Sequence, residues 1–400
     1  MKPMALAWRS LIRQPARAAL GVAGIAVVGA LLFDMLLLSH GLAVSFRELL
    51  EGMDFDVRVT AGQFVPSRGP RIRDGTSAAS VVRGLPEIEN AVSLRFGRAE
   101  ILLPRGGHVT SGFMGISGPA RGIWTVVEGR DLALEAVRTP PAILINRALA
   151  ERLDVPAGGS LRLRGSCDVR ESAMPPVEFE VAGIVEFRFD VAGEYSTVTA
   201  MSHLLRACEP ADPDAVTMIL ADSSAAAGPD GAAKAIRRSL PDLHAYTNQE
   251  FVDRLQVTDF SYFRQISFAL TVITLLFSFL LIATLLTVSV NQRLAEVAAL
   301  RALGFRRGRV VADLLWESCL LVGSGGLLGL PLGALVAVRL DAILREMPGI
   351  PMSLHFFVFQ PRAAVAYTAL LAVAGGLAAA YPLYLVARLP IAATLRREAP

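Results

Sequence analysis

Chemistry on phosphates, metals or acyl groups needs particular side chains at particular spacings, and few of them occur in this chain. Its 400 residues include two Lys, Lys2 and Lys234, and five scattered His, at positions 40, 108, 203, 244 and 355. A Walker A loop needs G-x-x-x-x-G-K-[ST], because its Lys and backbone amides hold the phosphates. Neither Lys follows a Gly or precedes Ser or Thr. No H-E-x-x-H, C-x-x-C or G-x-S-x-G occurs, so metal and serine-hydrolase chemistry have no visible constellation. Asp190 and Glu194 read as two acids of a solvated loop. The chain is therefore read as non-catalytic, with no cofactor or metal of its own.

One stretch is built to be acted upon. Asn291–Val310, NQRLAEVAALRALGFRRGRV, carries five Arg against one acid and is amphipathic. It lies between two long apolar runs, which places it on the cytoplasmic face of a membrane. It is too short to fold alone, so it is read as held or pushed by a partner.

Four apolar runs reach the roughly 20 residues that cross a bilayer. They are Ala18–Leu38, broken only by Asp34, then Gln265–Val290, Ser318–Val338 and Ala363–Ala387. With 53% hydrophobic and 19% charged residues, the composition also exceeds that of a soluble protein of this length. Basic residues set the orientation. Lys2, Arg9, Arg13 and Arg17 precede the first span, and Arg388, Arg396 and Arg397 follow the last. Both termini and the 291–313 segment are placed inside. This asymmetry explains the net charge of +3, so no nucleic-acid partner is invoked.

The expected plan is a cytoplasmic amphipathic segment 1–17, spans at 18–38, 265–290, 314–338 and 363–387, and a tail 388–400. The outer domain covers 39–264, with a short outer loop at 339–362. The first span is read as an uncleaved signal-anchor, since its charged leader is long and Ala43–Ser45 make a poor cleavage site. The outer domain reads as α/β. Phe55–Thr60, Ala91–Ile101 and Glu178–Val185 alternate as strands. After the apolar run Ala142–Ile145, Asn146 is a candidate N-cap for a helix over Arg147–Leu153. Helix is expected over Gly231–Leu240, and again from Glu250 without a clear break into the second span.

These pieces resemble a family. LAWRSLIRQPARAALGVAGIAV (6–27), AILINRALAERLDVPAGGSLRLRG (142–165) with VEFEVAGIVE (177–186), EVAALRALG (296–304) and YPLYLVARLPIAATLR (381–396) resemble, in that order, the opening, periplasmic core, coupling segment and ending of MacB/FtsX-type (type VII) ABC transporter permeases. The resemblance implies four transmembrane helices with an α/β (α+β) extracytoplasmic domain inserted between the first two. It implies a multi-pass protein of the bacterial cytoplasmic membrane. A separate cytoplasmic ABC ATPase would bind the ATP and magnesium, and a second permease copy or paralogue would complete the complex. The helix Glu296–Gly304 would dock in that ATPase, with Leu300, Ala302 and Leu303 as apolar contacts and Glu296 and Arg301 as polar ones. Movement of the outer domain, rather than passage through the spans, would do the work on a lipoprotein, peptide or other amphiphile. The alternative is a scaffold that transmits force to an outer partner such as a cell-wall hydrolase; the outer segment of about 225 residues favours transport. The resemblance leaves open an extracytoplasmic adaptor or lipoprotein partner.

The remaining candidates are positional. Gly325, Gly329 and Gly333, four apart in the third span, let helix backbones approach closely. Packing of spans 3 and 4 within one subunit is favoured over a dimer contact, and Pro331 is expected to bend that helix. Asp34 is placed near the outer end of its span, within reach of water. Cys319 reads as a small core residue. Cys167 and Cys208 both fall in the outer domain, where disulfides are permitted, and form a candidate pair whose separation the sequence leaves unset. Phe113, Met114, Phe187 and Phe189 serve an amphiphile site or an ordinary core equally well.

Overall fold

The computed structural model describes residue 12 and residues 15–62, 69–104, 106–119, 121–133, 140–167, 175–208, 210–258, 261–291, 307–347, 351 and 353–388. It contains two compact units. One comprises residues up to Leu42, Asp259–Ile343 and His355 onward; the other comprises Ala43–Thr258 and Leu344–Leu354.

Four helices form the first unit: α1 (Pro15–Glu51) and, after the outer segment, three helices Ser261–Asn291, Arg307–Arg345 and Pro361–Arg388. Each contains a window long and apolar enough to cross a membrane. At 1.5 Å per residue, the 37 residues of α1 measure about 55 Å, far beyond a hydrocarbon core of about 30 Å. Apolarity ends near Leu38, yet the helix continues to Glu51, and its residues from Ala43 belong to the outer unit. The helix Arg307–Arg345 likewise passes Val338 and runs on through Pro331. Leu32, Phe33, Leu37, Ile282, Tyr367 and Ala378 lie in one core.

Asp34 departs from expectation. It is only 1% exposed, and neither carboxylate oxygen has a hydrogen-bond partner among the described residues. A position near the end of an apolar run does not guarantee water when neighbouring helices cover that face.

The outer unit is built on a mixed sheet. In chain order its elements are β1 (Val57–Thr60), α2 (Gly75–Arg83), β2 (Ile88–Leu102), β3 (His108–Ile116), β4 (Trp124–Gly129), β5 (Ala142–Asn146), α3 (Arg147–Leu153), β6 (Ser160–Ser166) and β7 (Val177–Phe187). There follow β8 (Ser196–Ala200), α4 (Met201–Cys208), β9 (Met218–Ser223), α5 (Gly228–Ser239), β10 (His244–Thr247) and α6 (Asn248–Thr258). The membrane helices Ser261–Asn291, Arg307–Arg345 and Pro361–Arg388 are then α7, α8 and α9. Strand order is β10-β1-β9-β2-β3-β8-β5-β7-β4, and β6 pairs with both β2 and β7. That double pairing closes a ring of β2, β3, β8, β5, β7 and β6. Ile101, Phe113, Ile143, Leu163, Phe179 and Val181 pack with it as one apolar cluster.

The open flank β9–β1–β10 is covered by α2 and α5, through Val82, Ala232 and Ile236. Its edge strand β10 is blunted by an ion pair. Arg237 pairs with Glu250 and donates from Nε to the Ala245 carbonyl at 2.9 Å, while Glu250 accepts from the Thr247 amide at 3.3 Å. Unpaired edge groups invite foreign strands, and here two are already occupied.

Local rules hold well at α3. Asn146 sits in extended conformation (φ −75°, ψ 161°) and accepts from the Leu149 amide at 3.1 Å, an N-cap bond. The helix closes at Asp154 in the left-handed region.

Candidate functional site

A buried cation marks the outer unit, for Arg58 of β1 is almost wholly enclosed. Within that unit the end of α1 and the start of α6 meet directly. Asn248, the first residue of α6, donates from Nδ2 to the carbonyls of Leu50 at 3.2 Å and Phe55 at 3.3 Å. Its amide donates to the Asp56 carbonyl at 2.9 Å, and its Oδ1 accepts from Arg58 Nη1. Leu50 stands in the last turn of α1, where carbonyls lack intrahelical donors. One side chain therefore caps α1 and positions Arg58.

Arg58 is 4% exposed. Burial pushes its pKa down to about 10, with Asp56 opposing the shift. Its guanidinium lies 5.4 Å from the Phe251 ring centroid, a cation–π contact from the next turn of α6. Phe46 of α1 packs between Phe251, at 6.4 Å, and Phe189, at 5.9 Å. The junction thus combines an aromatic cluster with a buried cation and a bidentate amide.

A second loop borders α1. Asp190 is 6% exposed, contrary to the solvated-loop reading, and it binds the Phe187 amide at 3.3 Å and Asn146 Nδ2 at 3.2 Å. Burial raises its pKa, against the hydrogen bonds from Phe187, Asn146 and Ser196 that favour the ionised form, while Glu186 adds to the rise. Glu194 is exposed and offers only its carbonyl, to Asn146 at 3.0 Å. The two acids are loop fasteners, not an acid–base pair. Phe113 and Met114 are core residues, Phe187 packs edge-on to Trp124 at 6.1 Å, and Phe189 faces Phe46. No cluster of three metal-ligating side chains occurs among the described residues.

The other sequence-picked positions fall as follows. Glu296, Leu300, Arg301, Ala302, Leu303 and Gly304 lie outside the described residues, as does most of the 1–17 leader. Residues 259–260, between α6 and α7, also lie outside them. Gly325, Gly329 and Gly333 of α8 all face α1, and Gly329 meets α9 as well. A Cβ at Gly325 would stand 2.7 Å from Ile25, and one at Gly333 would stand 3.1 Å from the Ala30 carbonyl. At Gly329 a Cβ would stand 2.6 Å from Tyr367 Oη of α9 and 3.2 Å from the Ala26 carbonyl. Spacing of four marks a close face but not which helix fills it. Gly329→Leu is expected to lower stability by about 1–3 kcal/mol, because the packed helices must separate. Thermal unfolding in detergent checks this, and an unchanged midpoint would show that α1 can recede freely. Cys319, expected in the core, is exposed and lines an apolar groove between α8 and α9. Cys167 and Cys208 form a disulfide with Cα atoms 5.5 Å apart, linking the end of β6 to the end of α4. Sequence reasoning missed Asn248, Arg58 and Arg188, because none belongs to a local motif.

Comparison with known proteins supplies the family. The MacB-like periplasmic core domain profile matches residues 18–238, and the FtsX-like permease C-terminal profile matches residues 268–391. The chain belongs to the MacB/FtsX-type ABC transporter permeases. Such a permease is a multi-pass membrane protein that works with a cytoplasmic ABC ATPase. Among solved structures, this permease is similar to the periplasmic region of MacB from Actinobacillus actinomycetemcomitans. The identity is 13% and the TM-score 0.40, over 52% of this chain and 96% of that one. It is also similar to the extracellular domain of the noncanonic ABC-type transporter YknZ from Gram-positive bacteria, at 13% identity and TM-score 0.34, over 48% of this chain and 99% of that one. A search of curated proteins returned no match.

Proposed function

We propose that this permease converts the ATP cycle of a separate cytoplasmic ATPase into movement of its outer unit, which exports or extracts a lipoprotein, peptide or other amphiphile. The observation that carries the reading is α1, an unbroken helix from an apolar span to a capped end inside the outer unit. A helix fastened at its far end transmits displacement, whereas a flexible linker would absorb it. Asn248 and Arg58 join that end to α6, so displacement arriving by α1 or by α6 reaches the same cluster.

The segment Glu296–Gly304 is the docking element for the ATPase, with Leu300 and Leu303 supplying apolar contact. The Arg-rich flanks put both termini and this segment in the cytoplasm of a bacterium. The Cys167–Cys208 bridge supports an oxidising location for the outer unit. The permease works as a pair, with a second copy or a paralogue.

Co-purification with the ATPase tests this. Wild type is expected to retain the ATPase, while Leu300→Glu and Leu303→Glu each lose at least roughly 90% of it and still insert, since a buried unpaired charge at an interface costs several kcal/mol. Equal retention by both variants would rule out that docking segment.

A further inference from the structure

Residues Leu344–Leu354, from the last two residues of α8 into the connection to α9, belong to the outer unit. They touch it at the loop after β7. Val191 and Pro351 form an isolated antiparallel bridge, and Ser353 Oγ donates to the Arg188 carbonyl. The other groups of Arg188 bind the residues just before β4. Its Nε donates to the Gly122 carbonyl at 2.5 Å, and its amide donates to the Ile123 carbonyl at 3.1 Å.

The guanidinium covers Gly52, directly after the last residue of α1. A Cβ there would stand 2.6 Å from Nη1. Gly122, at φ +78°, approaches just as closely, for a Cβ on it would stand 2.9 Å from the Gly52 carbonyl. Gly52 thus makes room for the arginine at a helix C-terminus, where a cation is favoured, and Gly122 makes room for the backbone that follows the helix. The side chain of Arg188 holds the exit of α1, and its carbonyl holds the α8–α9 loop.

We propose that Arg188 is a positioning residue that clamps the α8–α9 loop to the exit end of α1, so that the exits of spans 1, 3 and 4 move as one body through the ATP cycle. This rests on the force-transmitting reading above. The side-chain half of the clamp joins the Gly122 carbonyl and the surface of Gly52, which a long, forked cation reaches together. It also explains why a loop between two membrane helices carries a β-bridge to a distant strand connection.

The experiment uses the full permease with its co-purified ATPase in nanodiscs. Spin labels on unnatural residues at Lys234, in the outer unit, and Val365, in α9, report their separation with and without ATP and vanadate. Cys319→Ser removes the free thiol, and Val191→Cys with Pro351→Cys adds a lock across the bridge. Facing residues of an antiparallel pair are about 4.5–5.5 Å apart, within disulfide range. The oxidised lock is expected to leave both ATP turnover and the ATP-driven distance change as in the reduced form. Arg188→Ala is expected to keep turnover within about twofold while the ATP-driven distance population falls roughly tenfold, the effect of losing one charge-assisted bond. Ser353→Ala, which cuts only the loop side, should give a smaller fall in the same direction, and Arg188→Lys a partial rescue.

The clamp is overturned if oxidation abolishes the distance change and reduction restores it, because the joint must then open. It is overturned equally if Arg188→Ala moves like wild type. Should wild type itself show no ATP-driven change, the force-transmitting reading falls first and the clamp falls with it.

Discussion

Asn248→Ala is expected to destabilise the outer unit by about 3–5 kcal/mol, the usual cost of stripping the partner from a buried charge. Three effects add at this one side chain. Arg58 loses its Oδ1 acceptor while remaining almost wholly buried. The Phe55 carbonyl loses its amide donor, and the Leu50 carbonyl loses one of two, keeping the Met53 amide at 3.2 Å. Each buried polar group left alone costs about 1–3 kcal/mol. Arg58→Met should cost less, because a flexible apolar side chain can lie against Phe251 where the guanidinium now does.

A double-mutant cycle separates the contributions. In the Arg58→Met background, Asn248→Ala should cost about 2 kcal/mol less than in wild type, since no stranded cation remains. Strict additivity in urea unfolding would show that Arg58 does not depend on Asn248. The pH dependence has a defined sign. The folded pKa near 10 lies below the ordinary value of an exposed arginine, so between the two the unfolded chain holds a proton that the folded chain has released. Stability contributed by this site therefore rises with pH across that window, and Arg58→Met removes the rise.

What could be read from sequence was local. Asn146 and the helix after it follow from capping chemistry, and the alternation of Glu178–Val185 gave the centre of β7. The apolar runs located the membrane helices but not their ends, because hydropathy reports lipid contact while helix length follows backbone bonding. From Ala43 to Glu51 the polar turns of α1 stay helical, as Phe46 and Leu50 pack into the outer core. Asp34 and Cys319 were misplaced for one reason: the face of a helix that its neighbours cover is set by tertiary packing. The junction is non-local in the strongest sense. Arg58 and Asn248 are 190 residues apart, and Arg188 and Ser353 are 165 apart, so no spacing rule could pair them.

The second large effect is expected at the disulfide. Replacing Cys167 and Cys208 together by Ala should lower the stability of the outer unit by about 4 kcal/mol, from the loop entropy that the bridge removes from the unfolded chain. The bridge spans 41 residues, including all of β7, β8 and α4. Freed at that point, α4 is held to the strand ring by packing through Leu204 and Ala207 and by the contact of His203 with the Ala142 backbone. Compensation by larger side chains is not available. Gly165 lies so close that its Cβ would stand 2.7 Å from the Cys208 sulfur, and Gly97 would place one 3.3 Å from the Cys167 sulfur. The site has no room for Val or Met, so Ala leaves a small void that adds to the entropic loss. Thermal unfolding of the full chain in detergent, with and without reductant, checks the prediction. Reductant should lower the wild-type midpoint and leave the double-Ala variant unchanged. A variant as stable as oxidised wild type would mean that packing alone fixes α4 to the ring, and that the bridge serves resistance to the outer environment instead of the fold.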